Sequence, residues 1–129
     1  MVRRFDFNKD YQKLTGWWAA HEWPIIPPQM LPKLGFVSES KEQDCAVFIY
    51  ETLDTSIAWM EWLTINPFCR REARTKAIAE CVHAAQGYAL ETGLVLFTSI
   101  KSATLLERLE KLGFNKTDSG MTNMIWRGM

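Results

Sequence analysis

The chain has 129 residues, fifteen Lys or Arg against fifteen Asp or Glu for a formal net charge of zero, and 47% hydrophobic residues. That length and apolar content suit one domain, 1–129, with a core burying roughly two thirds of the unfolded surface. The balanced charge offers no field for nucleic acid or an anionic membrane, so any anion site must be local. Cys45, Cys69 and Cys81 have no C-x-x-C spacing, which argues against a disulfide framework and against zinc. No metal is expected. No apolar run approaches the roughly 20 residues of a membrane span. Met1–Asp6 lacks the apolar core of a signal peptide, and a cytoplasmic protein is expected.

In chain order, Val2–Asp6 alternates and predicts an edge strand. Asn8 then caps a predicted helix through Tyr11, Leu14, Trp17, Trp18 and His21, whose large side chains recur at helical spacing and which stops before Pro24. Pro24–Pro32 holds four prolines in nine residues and predicts a stiff, extended loop; its Ile25, Ile26, Met30 and Leu31 are apolar enough to pack on the domain or to cover a ligand channel. Gly35–Glu39 reads as a strand and Cys45–Tyr50 as a central one, joined through Leu53–Ser56 to a third in an antiparallel hairpin.

The stretch Ser56–Thr92 organises the rest. Ser56–Ile65 is rich in β-branched and aromatic residues and ends where Asn66-Pro67 removes a ladder N–H. After the elbow Phe68-Cys69-Arg70-Arg71, the apolar residues Ala77, Ile78, Cys81, Val82, Ala85, Tyr88 and Ala89 share a helical face, and Gly93 supplies the stop. A strand feeding a helix N-terminus aims unpaired N–H groups and the positive dipole end at one spot. Arg70, Arg71 and Arg74 there oppose the dipole unless an anion joins them, which predicts a phosphate site. Leu94–Ser99 is a further strand, parallel to the one before the helix through a right-handed crossover. Ser102 caps a last helix carrying Leu105, Leu106, Leu109 and Leu112, and Phe114–Trp126 reads as a terminal hairpin turned at Asp118-Ser-Gly120.

The order of these elements resembles the GNAT N-acetyltransferase superfamily over nearly the whole chain. Arg70-Arg-Glu-Ala-Arg-Thr75 resembles that family's phosphate loop, and Ser102–Phe114, ending Glu-Lys-Leu-Gly-Phe, resembles its last helix. The aromatic run Trp17–Pro24 with its Pro-rich loop is similar to small bacteriophage-encoded members, for which the compartment is the host cytoplasm. The resemblance implies a mixed α/β sheet of six to seven strands with helices on both faces. It also implies acetyl-CoA as cosubstrate, with backbone near Leu63 and Ile65 meeting the pantetheine arm and Arg70, Arg71, Glu72, Ala73, Arg74 and Thr75 meeting the pyrophosphate. Ser102 stands where the family often has Asn. Leu109 stands where the family often has a tyrosine acid, so a slow enzyme or none is expected.

Among the residues themselves, Glu61 is the candidate general base, since a carboxylate flanked by Trp59 and Trp62 and sharing strand parity with Trp59, Leu63 and Ile65 rises in pKa if desolvated. Its alternative is a solvent-facing or Arg-paired carboxylate. Trp17, His21 and Trp23 are candidates for the acceptor side; the plainer reading of His21 is a residue closing a helix end. Two functions compete: an acetyl-CoA-dependent N-acyltransferase acting on an amine of a small molecule or a protein, and a non-catalytic module of the same fold working through protein contacts. A homodimer is compatible with either.

Overall fold

A sheet of five strands in the order β1-β2-β3-β4-β5 carries the site. The computed structural model describes residues 1–128. The chain runs β1 (Val2–Arg4), α1 (Phe7–Ala20), a 3-10 turn (Pro28–Met30), β2 (Gly35–Glu39), β3 (Gln43–Glu51), β4 (Ile57–Ile65), α2 (Arg71–Thr92), β5 (Val95–Phe97) and α3 (Ala103–Lys111). It divides into two compact units, Met1–Ser99 with the whole sheet, and a second that starts at Ile100 and contains α3. No helix among the described residues is long and apolar enough to cross a membrane.

β1 to β4 pair antiparallel and β4 pairs parallel with β5, so the hairpin and the crossover form where the sequence puts them, and β3 is the central strand. α2 ends at Gly93, whose φ of 70° is the left-handed conformation that glycine adopts without a steric penalty. Two expectations are corrected. Asp6, not Asn8, caps α1, accepting from the N–H groups of Asn8 and Lys9; both residues are good caps, and the one whose carboxylate reaches the second and third helical N–H groups takes the role. The sheet has five strands, not six or seven, and residues 114–128 contain no strand. The turn residues Asp118–Gly120 form no assigned turn, since an isolated two-stranded hairpin is marginal without a further partner.

The sheet alternation sorts the core into two layers. Val37, Ala46 and Phe48 turn toward α1 and bury with Leu14, Trp17, Trp18 and Ile26. Val47 and Ile49 alternate with them onto the other face. There α2 buries Ala77, Ile78, Cys81, Val82, Ala85 and Ala89, the Cys81 thiol reaches the Phe36 carbonyl, and Ser38 Oγ donates to Glu80. Gly35 is required because a Cβ there would lie 2.8 Å from the Phe48 ring.

One polar cluster ties β1, α1 and the β2–β3 hairpin together. Arg3 donates in bidentate fashion to buried Asp10 at 2.7 and 2.8 Å and also to Glu39. Asp10 further accepts from the Asp6 N–H at 2.8 Å and from Gln43 Nε2 at 3.3 Å. Lys13 donates to Gln43 Oε1, and Asn66 Nδ2 donates to the Gln43 carbonyl, so the cluster reaches the end of β4. Burial pushes the Asp10 carboxyl up, yet the hydrogen bonds from Arg3 and Asp6, with Arg3's charge, outweigh it and leave the group below its ordinary value. A lowered carboxyl pKa contributes stability that is present above the unfolded value and is lost as pH falls through the folded one. Asp10→Asn is therefore expected to cost about 2 kcal/mol at pH 7, by leaving a partly buried guanidinium without its charge partner. The gap to wild type should narrow below about pH 4, as urea unfolding curves at the two pH values would measure.

Candidate functional site

The site is built at the end of β4, where the strand carries one residue more than β3 can pair. Cys45 and Ala46 face Ile65 and Thr64, whereas Phe48 faces Glu61, so Trp62 and Leu63 together oppose Val47. This is a β-bulge, and Trp62 adopts φ 56°, a left-handed conformation costing an aromatic residue about 1–3 kcal/mol. Three hydrogen bonds hold it. Trp62 Nε1 donates to Tyr50 Oη at 2.8 Å, Thr64 Oγ1 donates to the Trp62 carbonyl at 2.7 Å, and Trp18 Nε1 donates to Thr64 Oγ1 at 3.2 Å.

The bulge changes which side chains share a face. Glu61 pairs with Phe48 and Trp59 with Tyr50, so both lie on the α1 side of the sheet, and Thr64 lies there too. The expected common parity of Glu61 with Leu63 and Ile65 is thus broken, because a single extra residue reverses the alternation beyond it. Immediately beside Glu61 the sheet opens. The last parallel pair is Trp59 with Phe97, after which Thr98 Oγ1 donates to the Met60 carbonyl at 2.7 Å and β5 ends.

Glu61 is half-buried, and among the described residues its carboxylate has no hydrogen bond and no ion pair. Burial alone pushes its pKa up. The nearby Tyr50 hydroxyl directs its proton to the Met30 carbonyl at 2.8 Å, and Tyr11 Oη donates to the Ile26 carbonyl at 2.8 Å. These two phenols pin the Pro-rich segment along the α1 face, with Ile26 buried.

Past Ile65 the chain turns at Asn66, whose side chain accepts from the Phe68 N–H while the Cys69 N–H donates to its carbonyl. α2 then starts with Arg70 as N-cap and no side-chain cap. The Ala73 and Arg74 N–H groups close on the Arg70 carbonyl, so those of Arg71 and Glu72 remain outside the intrahelical ladder. Arg70, Arg71, Glu72 and Thr75 are exposed, and none of the three arginines has an acidic partner among the described residues. Arg74 folds back, its Nε donating to the Cys69 carbonyl at 3.2 Å. The Cys69 thiol is pushed up, by burial and then by Asp44, against the weaker pull of Arg74. That places it with packed loop cysteines and not with reactive ones.

Of the other expected residues, His21 bonds the Ile65 carbonyl through Nε2 at 2.7 Å, tying the end of α1 to the end of β4, and Trp23 packs against the His21 ring at the surface. Trp17 is buried in the α1-side core. Ser102 caps α3 through the Leu105 N–H and Leu109 is buried, both in the second unit. A groove of about 700 Å³ opens elsewhere, lined by Arg4, Phe5, Phe7, Leu31 and their neighbours, and includes none of these groups. The bulge, the Tyr50–Trp62 bond and the stacking of Trp59 on Phe97, with ring centroids 5.3 Å apart, escaped the sequence reading. No glycine marks the bulge, and the parallel register that brings residues 59 and 97 together is a tertiary fact.

No protein-family model and no curated protein matches the chain. Solved structures do. A Thermus thermophilus protein, TTHA1254, superimposes with a TM-score of 0.74 at 13% identity, over 100% of this chain and 99% of that one. An aminoglycoside acetyltransferase, meta-AAC0020, from an uncultured soil metagenomic sample, in complex with sisomicin, gives 0.70 at 11% identity, over 98% and 95%. The ribosomal-protein-S18-alanine N-acetyltransferase from Escherichia coli gives 0.70 at 13% identity, over 92% and 79%. The mixed sheet with α1 and α2 shares its fold with these structures, two of which are acetyltransferases.

Proposed function

We propose that this chain is an acetyl-CoA-dependent N-acyltransferase that moves an acetyl group onto an amine of a small molecule or a protein. The observation that carries the reading is the position of Glu61, an unpaired half-buried carboxylate at the point where β5 parts from β4, on the same strand that leads into an uncapped, arginine-flanked helix start. The residues suit a CoA thioester. The Arg71 and Glu72 N–H groups and the Arg70 and Arg71 guanidinium groups offer donors to a pyrophosphate. Past Trp59 the strand has no paired β5 residue, and Trp62 and Leu63 share one position opposite Val47, a break in the ladder where a backbone N–H would receive the thioester oxygen.

In this reading Glu61 takes a proton from the acceptor ammonium, directly or through one water, and the freed amine attacks the thioester carbonyl. The C–N bond forms, the C–S bond breaks, and the second proton shed by the nitrogen passes through water to the CoA thiolate. A thiolate of pKa about 8.5 leaves without an obligatory acid, which makes the reaction slower but not impossible with Leu109 at the position of the family's tyrosine. Ala73 and Thr75, where glycine or alanine is usual, leave the Arg71 and Glu72 N–H groups as the close-approach donors.

Acetyl-CoA at about 100 times its dissociation constant is expected to stabilise the fold by about 2.7 kcal/mol and raise Tm by several degrees in a thermal melt. Arg70→Glu with Arg71→Glu should remove the shift without lowering the Tm of the ligand-free protein. No shift at millimolar acetyl-CoA would sink the reading and leave a non-catalytic module of the same fold.

Glu61→Gln separates function from stability. A carboxyl raised by burial binds its proton more tightly in the folded than in the unfolded state, so its ionisation destabilises the fold as pH rises through the folded pKa. The Gln variant should melt about 2 °C above wild type at pH 7 and lose that advantage below the ordinary glutamate value of about 4.3. Thiol release in its presence should fall by roughly 100-fold. An unchanged rate would remove Glu61 from the mechanism.

A further inference from the structure

We infer that the amine acceptor is a small arylalkylamine, bound as its ammonium form with its ring on the Trp59–Phe97 pair and its nitrogen at Glu61. The inference deepens the transfer reading and rests on it for the identity of the second substrate.

Three features of the α1-side face of β4 and β5 lead to this class. Trp59 and Phe97 stack at 5.3 Å and 26° while remaining 39% and 37% exposed, so a pair of aromatic side chains reaches the surface on a sheet face whose other large side chains are mostly covered. Glu61 sits two residues along the same strand on the same face, about 7 Å from Trp59 by strand geometry, which matches the span from an aromatic ring to an amine carried on a two- or three-carbon arm. The carboxylate has no cation of its own, and the Tyr50 hydroxyl beside it is committed to Met30, so the charge complement must come from a ligand. An ammonium there meets one anion and the faces of neighbouring aromatic rings, a combination that selects a cation over a neutral isostere. Tyr50, opposite Trp59 on β3, holds the Pro-rich strap through the Met30 carbonyl.

The test measures binding by calorimetry without any thioester, using 2-phenylethylamine, hexylamine, 2-phenylethanol and a short peptide beginning with Phe. Wild type should bind 2-phenylethylamine about 10-fold tighter than hexylamine and than 2-phenylethanol, and tighter than the peptide. Trp59→Leu and Phe97→Leu should each weaken that binding by about 5-fold or more, Trp59→Phe should restore most of it, and Glu61→Gln should abolish the preference for the amine over the alcohol. Equal binding of the four probes, or affinity unchanged in both leucine variants, would overturn the inference, as would tighter binding of the peptide. Should Trp59→Leu fail to fold, the probe series on wild type and Phe97→Leu decides. Amine selectivity without any acetyl-CoA-induced shift in Tm would sink the transfer reading alone, and the shift without amine selectivity would sink this inference alone.

Discussion

The mismatch of one residue between β3 and β4 is the constraint on which the site depends. Because Trp62 and Leu63 share one position opposite Val47, β4 twists out of register with its neighbour at the level where β5 ends. Local twist and a broken ladder follow from any bulge. Here they turn Glu61 and Thr64 onto one face and hold Trp62 in a strained conformation. That strain persists because the surroundings over-determine it. Tyr50, Thr64 and Trp18 each supply a hydrogen bond, and every one of those partners is anchored in or against the α1-side core.

Rigidity around the bulge comes from polar links between segments far apart in sequence. Asn66 joins the end of β4 to Gln43, Gln43 joins Asp10, and Asp10 joins Arg3. His21 ties the end of α1 to Ile65. A helix start that must present its N–H groups to a ligand needs the strand before it held still, and these bonds fix the end of that strand to β3 and to the end of α1. The elbow departs from the polar satisfaction seen elsewhere. No side chain caps α2, and Arg70 and Arg71 sit where the dipole disfavours them.

Two features run against stability. Glu61 is a carboxylate that the fold partly desolvates and gives no partner, and the arginines of the elbow repel the positive end of α2. Elsewhere, among the described residues, no buried side-chain nitrogen or oxygen lacks a hydrogen bond. A chain that satisfies its polar groups throughout the core, and departs from that at one strand end, concentrates its unfavourable local interactions where a ligand can relieve them. The partly exposed Trp59 and Phe97 are the last parallel pair between β4 and β5.

Much of the scaffold was legible in the sequence because it depends on local rules. Apolar spacing placed α2 and its buried face, Gly93 ended it, and a short connection and a long crossover set the antiparallel and parallel pairings around β4. That the Glu61 carboxyl would rise in pKa if desolvated followed from its aromatic neighbours; that it is half-buried did not. Other features depend on partners distant in sequence. A turn signal at Asp118–Gly120 could not supply the strand neighbour that a hairpin needs, so six or seven strands became five. Helical spacing could not tell that Trp17 faces the core while Trp23 is exposed, nor that His21 meets Ile65 across 44 positions. By itself the sequence determined the strands and helices from β1 to α3, their order and the arginine-rich start of α2, since these follow from side-chain period and backbone stereochemistry. Only the tertiary structure decided that β4 carries an extra residue opposite β3 and that Phe97 joins Trp59 and Glu61 on one face, because register is set by which strands pair and not by either strand alone.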